Sequence, residues 1–385
     1  MFNNTLNYMR KIVGVSTIAL SATVMASTAQ AQDMVTVTDM AGRVVEVRHG
    51  VERVILGEGR MMYSIGILER DDPFAHIVGW KDDMIKFDPD AFAKYHALFP
   101  EQADAIQNFG SPVAGDFSIE SAIAADTDLV ILNLGKLYQA EEAGIIEKLE
   151  RAGIPVIFID FRLRPLQNTV PSMLMLGRVF AQEEKAMEFV DFYIQQMRAV
   201  TNVVDGLTDE DRPLVFIDRA AGISGPSCCK TFGPYNYGQF VTDAGGTNWG
   251  SRVLSGFAGE VSFEAVLEVN PDVVIGTGAN WLSYKPDTMA VLLGYAADEA
   301  DVQARILALA SRPGWETMTA VQERRVYSIY HQFYNSPYHF VAIQVMAKWF
   351  HPEEFEDLDP MATFDELHDR FLPIDNSGIF WAQMQ

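Results

Sequence analysis

SIESAIAADTDLVI at residues 118–131 and SFEAVLEVNPDVVI at residues 262–275 superpose position by position. Each has a capping-box-like start on a serine (Ser118, Ser262), an apolar stretch at helical spacing, an aspartate (Asp128, Asp272) and a run of Val, Leu and Ile. A run that is apolar at every position reads as a strand buried on both faces, the mark of a parallel sheet between helices. The same unit in each half of the chain predicts two similar α/β lobes.

Outward from these copies the grammar continues. Residues 54–56, 76–79 and 154–159 read as further strands of the first lobe, and 145–152 as a helix that Gly153 ends. In the second half 214–217 reads as a strand, and 313–321 followed by 325–329 echoes 145–159. Residues 35–47 form two alternating runs around Asp39-Met-Ala-Gly42, a hairpin pattern. Between the halves lie two amphipathic segments, 171–180 and 182–204. In the latter Ala186, Phe189, Val190, Tyr193, Ile194 and Met197 keep helical spacing. It would span about 34 Å at 1.5 Å per residue, a rigid strut that permits a modest rocking of the lobes. The expected organisation is a signal segment over 1–31, an N-terminal lobe over 32–167, linker helices over 168–204 and a C-terminal lobe over 205–385.

Arg10 and Lys11 precede an apolar run to about residue 25, and Ala29-Gln30-Ala31 supplies a small-x-small cleavage site. This reads as a secretory signal rather than an anchor or a spanning helix. No cysteine follows the apolar run to carry a lipid, so the expected location is the periplasm of a Gram-negative cell. Loss of those residues leaves 52 acids against 27 bases, a net charge of −25. Such a charge argues against nucleic acid and anionic membranes as partners, and an anionic ligand would need a locally basic cleft. The only cysteines, Cys228 and Cys229, are adjacent. A local disulfide is the favoured reading over free thiols, intermolecular bridges or a two-ligand soft-metal site.

Catalytic motifs are missing: there is no G-x-S-x-G elbow, P-loop or H-E-x-x-H, Gly245-Gly246 lacks the dinucleotide pattern, and the thiols lack the two-residue spacing of redox enzymes. The chain resembles the iron-siderophore and vitamin B12 class of periplasmic binding proteins that serve ABC importers. The resemblance runs from about Val35 to Tyr334 through "VTVTDMAGRVVEV", "SIESAIAADTDLVIL", "IIEKLERAGIPVIFID", "GRVFAQEEKAMEFVDFY", "FVTDAGGTNWG" and "VSFEAVLEVNPDVVIGTG". It implies two lobes joined by one long helix, a groove between them, no catalysis and no resident cofactor. It also implies a monomer that hands a small molecule to a permease. Such proteins carry a surface Glu on each lobe for that docking, yet Met62 occupies the expected position in the first. Glu58, Glu69 or Asp71 would substitute there, and Asp243 is the candidate in the second lobe.

Ligands of open parallel sheets meet the loops at the carboxyl ends of strands. In the first lobe that rule selects Arg60, Trp80, Lys81, Lys136, Tyr138 and Arg162. In the second it selects Arg219, the Cys228 loop with Tyr235 and Tyr237, Trp281, Tyr284, His331 and Tyr334. Aromatic faces would cover the organic scaffold of a ferric siderophore while guanidinium and ammonium groups meet its oxygens, and Arg60, Arg162 and Arg219 lead the set. Against this, a loop Arg is commonly a solvated charge, Trp80 and Trp281 suit a core, Tyr235 and Tyr237 could simply pack their loop, and His331 and His339 suit structural roles. Haem, with Tyr63 or Tyr334 as axial ligand, cobalamin and molybdate are competing cargoes. A structural or sensor derivative that binds nothing is the rival from another class. Seven His without clustering speak against a bare divalent metal.

Overall fold

The computed structural model describes residues 33–385, which form one compact unit; the signal segment lies outside the described residues. Strands β1 (Met34–Thr38) and β2 (Val44–Arg48) pair antiparallel around the Asp39–Gly42 turn. The chain then lays down β3 (Val54–Leu56), β4 (Ile77–Trp80), β5 (Gln107–Asn108), β6 (Leu129–Asn133) and β7 (Val156–Ile159). They form a parallel sheet of order β5-β4-β3-β6-β7.

The second half adds β8 (Leu214–Asp218), β9 (Lys230–Phe232), β10 (Thr247–Asn248), β11 (Ala258–Glu260), β12 (Val273–Gly278), β13 (Val326–Tyr330) and β14 (Trp381–Gln383). Its main sheet has the order β10-β8-β12-β13-β14, parallel except for the C-terminal edge strand β14. The series β4-β3-β6-β7 and β10-β8-β12-β13 are thus the same arrangement built twice. The sequence repeat sits at equivalent places. Ser118 Oγ accepts from Ser121 N at 3.0 Å and Ser262 Oγ from Ala265 N at 3.1 Å, capping the helices that precede β6 and β12. Every residue of β6 and of β12 is buried, as the uninterrupted apolar runs require.

Between the sheets run the helices Pro165–Val179 and Glu183–Val204. The first begins six residues before the segment read from sequence and carries Pro171 inside it, where the missing N–H removes one rung of the ladder. The second buries Ala186, Phe189, Val190, Phe192, Tyr193, Val200 and Val204. The two close against each other at Gly177, where a β-carbon would stand 2.4 Å from that of Ala186. The long helix joins the two lobes as a packed spine. Helix Phe340–Phe350 lies on it, and Tyr193 Oη meets His339 Nε2 at 3.2 Å. His339 stacks on Phe240 and burial lowers its pKa to about 4, so it is a structural residue.

Two further differences concern the second lobe. Residues 313–321 form a 3-10 turn and one helical turn rather than a second copy of helix 145–152; the helix packed there is Glu299–Ala310. The C-terminal helix Pro360–Phe371 and the segment after it return to the first lobe, where Arg70 Nε donates to Leu372 O at 3.0 Å and Lys94 pairs with Asp375 at 2.7 Å. No helix among the described residues is long and apolar enough to cross a membrane.

Candidate ligand cleft

The carboxyl ends of both sheets face one another, and the residues that follow the strands make the cleft. After β3, Gly57-Glu58-Gly59-Arg60 turns tightly. A β-carbon on Gly59 would stand 2.7 Å from Lys81 O, so the backbone approach needs glycine. Gly59 N also donates to Lys81 O at 2.9 Å, tying this turn to the end of β4. After β7, the fully buried Asp160 carboxylate accepts from the backbone N–H of Arg162, Leu163 and Arg164 at 2.9, 2.6 and 2.9 Å. Those bonds fix the turn that leads into helix Pro165–Val179 and aim Arg162 across the cleft.

Both first-lobe arginines are ion-paired within their own lobe and reach across the cleft to the second. Arg60 Nε donates to Asp83 Oδ2 at 2.6 Å, and its Nη1 reaches Gln332 Oε1 at 2.9 Å and the Tyr334 hydroxyl at 2.8 Å. Arg162 holds Glu58 through both terminal nitrogens at 3.0 and 2.6 Å and donates from Nε to Asn335 Oδ1 at 3.1 Å. Asn236 Nδ2 donates to the carbonyls of Arg162 and Tyr334 at 2.6 and 2.8 Å. The floor of the cleft is therefore a polar network of the protein's own side chains.

Arg219 differs. Its backbone N donates to Lys230 O at 2.7 Å and its guanidinium lies 5.5 Å from the Phe232 ring centre. Its Nε is buried without a partner, and among the described residues it makes no ion pair. The neighbouring Asp218 is already committed to Arg312 at 2.8 Å, both side chains being 4% exposed. Burial, and the like charge of Arg162, disfavour the charge on Arg219, partly offset by Tyr334. Burial, Arg219, Arg60 and Arg162 together keep His331 neutral. For Glu58 burial is outweighed by Arg162 and Arg60, which hold the carboxylate ionised.

Space remains on either side of this floor. One pocket of about 300 Å³ is lined by Glu58, Lys81, Ser111, Asn133 and Lys136 at the strand ends of the first lobe. Another of about 320 Å³ is lined by Arg219, Ser224, Cys228, Cys229, Lys230 and Glu260 in the second.

Of the residues selected from sequence, Arg60, Arg162, Arg219, Lys81, Lys136, His331 and Tyr334 converge here. Others do not. Trp80 is 2% exposed and packs edge-on against Phe74 and Phe92 in the first-lobe core, because the last residue of β4 points into the layer and not along the strand. Tyr237 is fully buried against Phe232 and Phe240, its hydroxyl donating to Tyr330 O at 2.6 Å. Trp281, 2% exposed, backs the His331 ring, whose Nδ1 meets Thr277 Oγ1 at 2.8 Å. Tyr138 is 72% exposed, on the outer side of its helix. Tyr235 is half-buried, and Tyr284 reaches across to Phe87, ring centres 5.1 Å apart. Tyr63, offered as a haem ligand, is buried with its hydroxyl on Asp88.

The docking candidates also change. Glu58 faces Arg162 in the cleft, and Glu69 is buried, accepting from Gln182 at 3.2 Å. Asp243 has one carboxylate oxygen buried without a partner, and burial raises its pKa to about 6. Neither Glu58 nor Glu69 offers a free carboxylate to a partner surface, whereas Asp243 is half-buried and Asp71 is exposed. Asp83, Gln332, Asn335 and Asn236 were missed. Their uncharged or acidic side chains carry no signal in a search for cations and aromatics, although Gln332 and Asn335 follow β13 directly. No group of three or more His, Cys, Asp or Glu among the described residues is arranged to hold a metal ion.

Two lobes whose strand ends converge on a basic cleft define a solute-binding protein. The family model described as a periplasmic binding protein matches residues 88–332, and the chain belongs to that family. It is accordingly a binding component of the ABC transporter class and not an enzyme. The TroA-like periplasmic binding protein FepB from Veillonella parvula is similar in structure (TM-score 0.83) and 30% identical, over 91% of this chain and 100% of that one. The molybdate periplasmic binding protein MolA of Haemophilus influenzae, solved with molybdate, shares the fold at TM-score 0.67 and 18% identity, over 89% of this chain and 99% of that one. The periplasmic heme-binding protein RhuT from Roseiflexus sp. RS-1 does so at TM-score 0.54 and 16% identity, over 79% and 100%. No curated protein matches the chain.

Proposed function

We propose that this protein captures an anionic ferric chelate of the siderophore type between its lobes, as a monomer, and delivers it to the permease of an ABC importer. The observation that carries the reading is Arg219. A buried guanidinium nitrogen without a hydrogen-bond partner is costly, and an incoming oxygen anion supplies what the chain does not. Lys136 and Lys81 place further positive charge across the cleft, in a protein whose net charge is −23. The iron would stay bound by its chelator, since the cleft needs to meet only the oxygens around it. Pockets of about 300 Å³ stand at the small end of the range for ligand sites. That size favours a compact chelate and keeps a bare oxyanion as the second reading. Haem fits less well, because Tyr63 is buried and Tyr334 is clamped by Arg60.

The test is a thermal-shift and fluorescence titration with ferric citrate, a ferric tris-catecholate, a ferric hydroxamate, molybdate, haemin and cyanocobalamin. A cargo at a hundred times its dissociation constant stabilises the fold by roughly 2.7 kcal/mol. A saturable response to an iron chelate supports the reading. Molybdate alone would establish the oxyanion instead. Silence across the panel, with the protein folded, would leave a structural or sensor derivative.

A further inference from the structure

The Cys228–Cys229 pair is unused by the function above, yet both residues line the pocket that holds Arg219. Their sulfurs are bonded to one another, Cys229 being buried and Cys228 half-exposed. The loop that carries them leaves β8 at Arg219 and re-enters the fold at Lys230, where Arg219 N donates to Lys230 O at 2.7 Å. Its first half is anchored: Ala220 N to Thr277 Oγ1 at 2.7 Å, Ala221 N to Thr277 O at 3.1 Å and Met289 N to Gly222 O at 2.9 Å. From Pro226 to Cys228 the backbone makes no such bond, and the next anchor is Val261 N to Cys229 O at 3.1 Å. The disulfide closes only the Cys228–Cys229 dipeptide, at the end of this free stretch. It sits immediately before β9, whose Lys230 carbonyl holds the Arg219 backbone and whose Phe232 ring faces the Arg219 guanidinium.

We infer that the Cys228–Cys229 disulfide is a cargo-site element: it forms part of the wall of the pocket that Arg219 also lines, and that pocket is complete only while the bond is closed. This rests on the reading that cargo enters that pocket. Cargo affinity then follows the thiol–disulfide state of the chain. Opening needs a dithiol reductant. One of its thiolates attacks the more exposed Cys228 sulfur and expels the Cys229 thiolate, which takes a proton. The second thiol of the reductant then resolves the mixed disulfide, leaving two cysteine thiols and an oxidised, cyclic reductant. Two electrons and two protons pass to the protein.

The experiment has two readouts. In the first, oxidised protein, dithiothreitol-reduced protein (a gain of two hydrogens by mass) and Cys228→Ser/Cys229→Ser are titrated with ferric citrate and with the ferric tris-catecholate. A tenfold or greater loss of affinity in the two open forms is expected, with the oxidised form restored by reoxidation. In the second, which needs no ligand, amide hydrogen exchange is compared across residues 219–232. Faster exchange at Arg219 and across 226–230 in the open forms, with the spine helix unchanged, is expected. Equal affinity in closed and open forms overturns the inference and leaves the transport reading standing. Unchanged exchange overturns it even if no probe binds, whereas absent binding in all forms with the exchange difference present sinks only the cargo reading.

Discussion

Arg162 and Tyr334 come from different lobes and stack across the cleft, the guanidinium carbon 5.0 Å from the ring centre. Arg60 donates to the same tyrosine's hydroxyl at 2.8 Å. Burial alone would raise the Tyr334 pKa, but the positive charges of Arg162 and Arg60 outweigh it and bring it below the usual tyrosine value. Ultraviolet difference titration of the folded protein should therefore show a tyrosine that ionises early and disappears in Tyr334→Phe. If the variant titrates like the parent, the two guanidiniums do not act on that hydroxyl.

Asp88 is 3% exposed and accepts from the Tyr63 hydroxyl. Burial raises its pKa to about 6, opposed by the hydroxyls of Tyr330 and Tyr63. The folded chain thus binds this proton more tightly than the unfolded one. Its contribution to stability falls as pH rises from about 4 to about 6, and the full cost stands above that. Asn keeps an acceptor for Tyr63 without the charge. Asp88→Asn should raise the unfolding free energy by about 2–3 kcal/mol at pH 7, with most of that gain gone at pH 4. Urea melts at the two pH values decide it, and an equal effect at both would contradict the burial argument.

Trp80 and Tyr237 belong to the cores. Trp80→Ala should cost about 3–5 kcal/mol of stability, while the conservative Trp80→Phe and Tyr237→Phe should leave cargo affinity within a factor of two by fluorescence titration. A large selective loss of affinity in either Phe variant would return that ring to the cleft.

What the sequence revealed about the fold came from burial. The runs at 129–132 and 273–275 are apolar because helices cover both faces, and such a pattern survives in one dimension. The cleft was legible only in part, because strand-end loops locate residues without orienting them. Trp80 and Lys81 are adjacent, yet one enters the core and the other faces the pocket. Glu58 looked like a surface docking group because nothing local shows that Arg162, 104 residues away, reaches it. The return of the C-terminal segment onto the first lobe, through Arg70 and Lys94, depends equally on distant partners.

Asp218 and Arg312 form a buried pair beside the proposed site, with the guanidinium carbon 3.7 Å from the Trp315 ring centre. Arg312→Met should destabilise the protein by about 3–5 kcal/mol, since it strands a buried carboxylate. Adding Asp218→Asn should recover much of the loss. A double-mutant cycle in urea measures the coupling, and strict additivity would show that the pair does not act as one.

The most direct test of the central claim is the affinity of wild-type protein and Arg219→Ala for whichever ferric chelate binds, measured by calorimetry at two salt concentrations. Losing one desolvated charge pair costs about 2–5 kcal/mol, so the variant should bind about thirtyfold or more weakly while melting no lower than the parent. If Arg219→Ala binds the chelate as tightly as wild type, the unpartnered guanidinium is not what the cargo meets, and the anionic-cargo account is wrong.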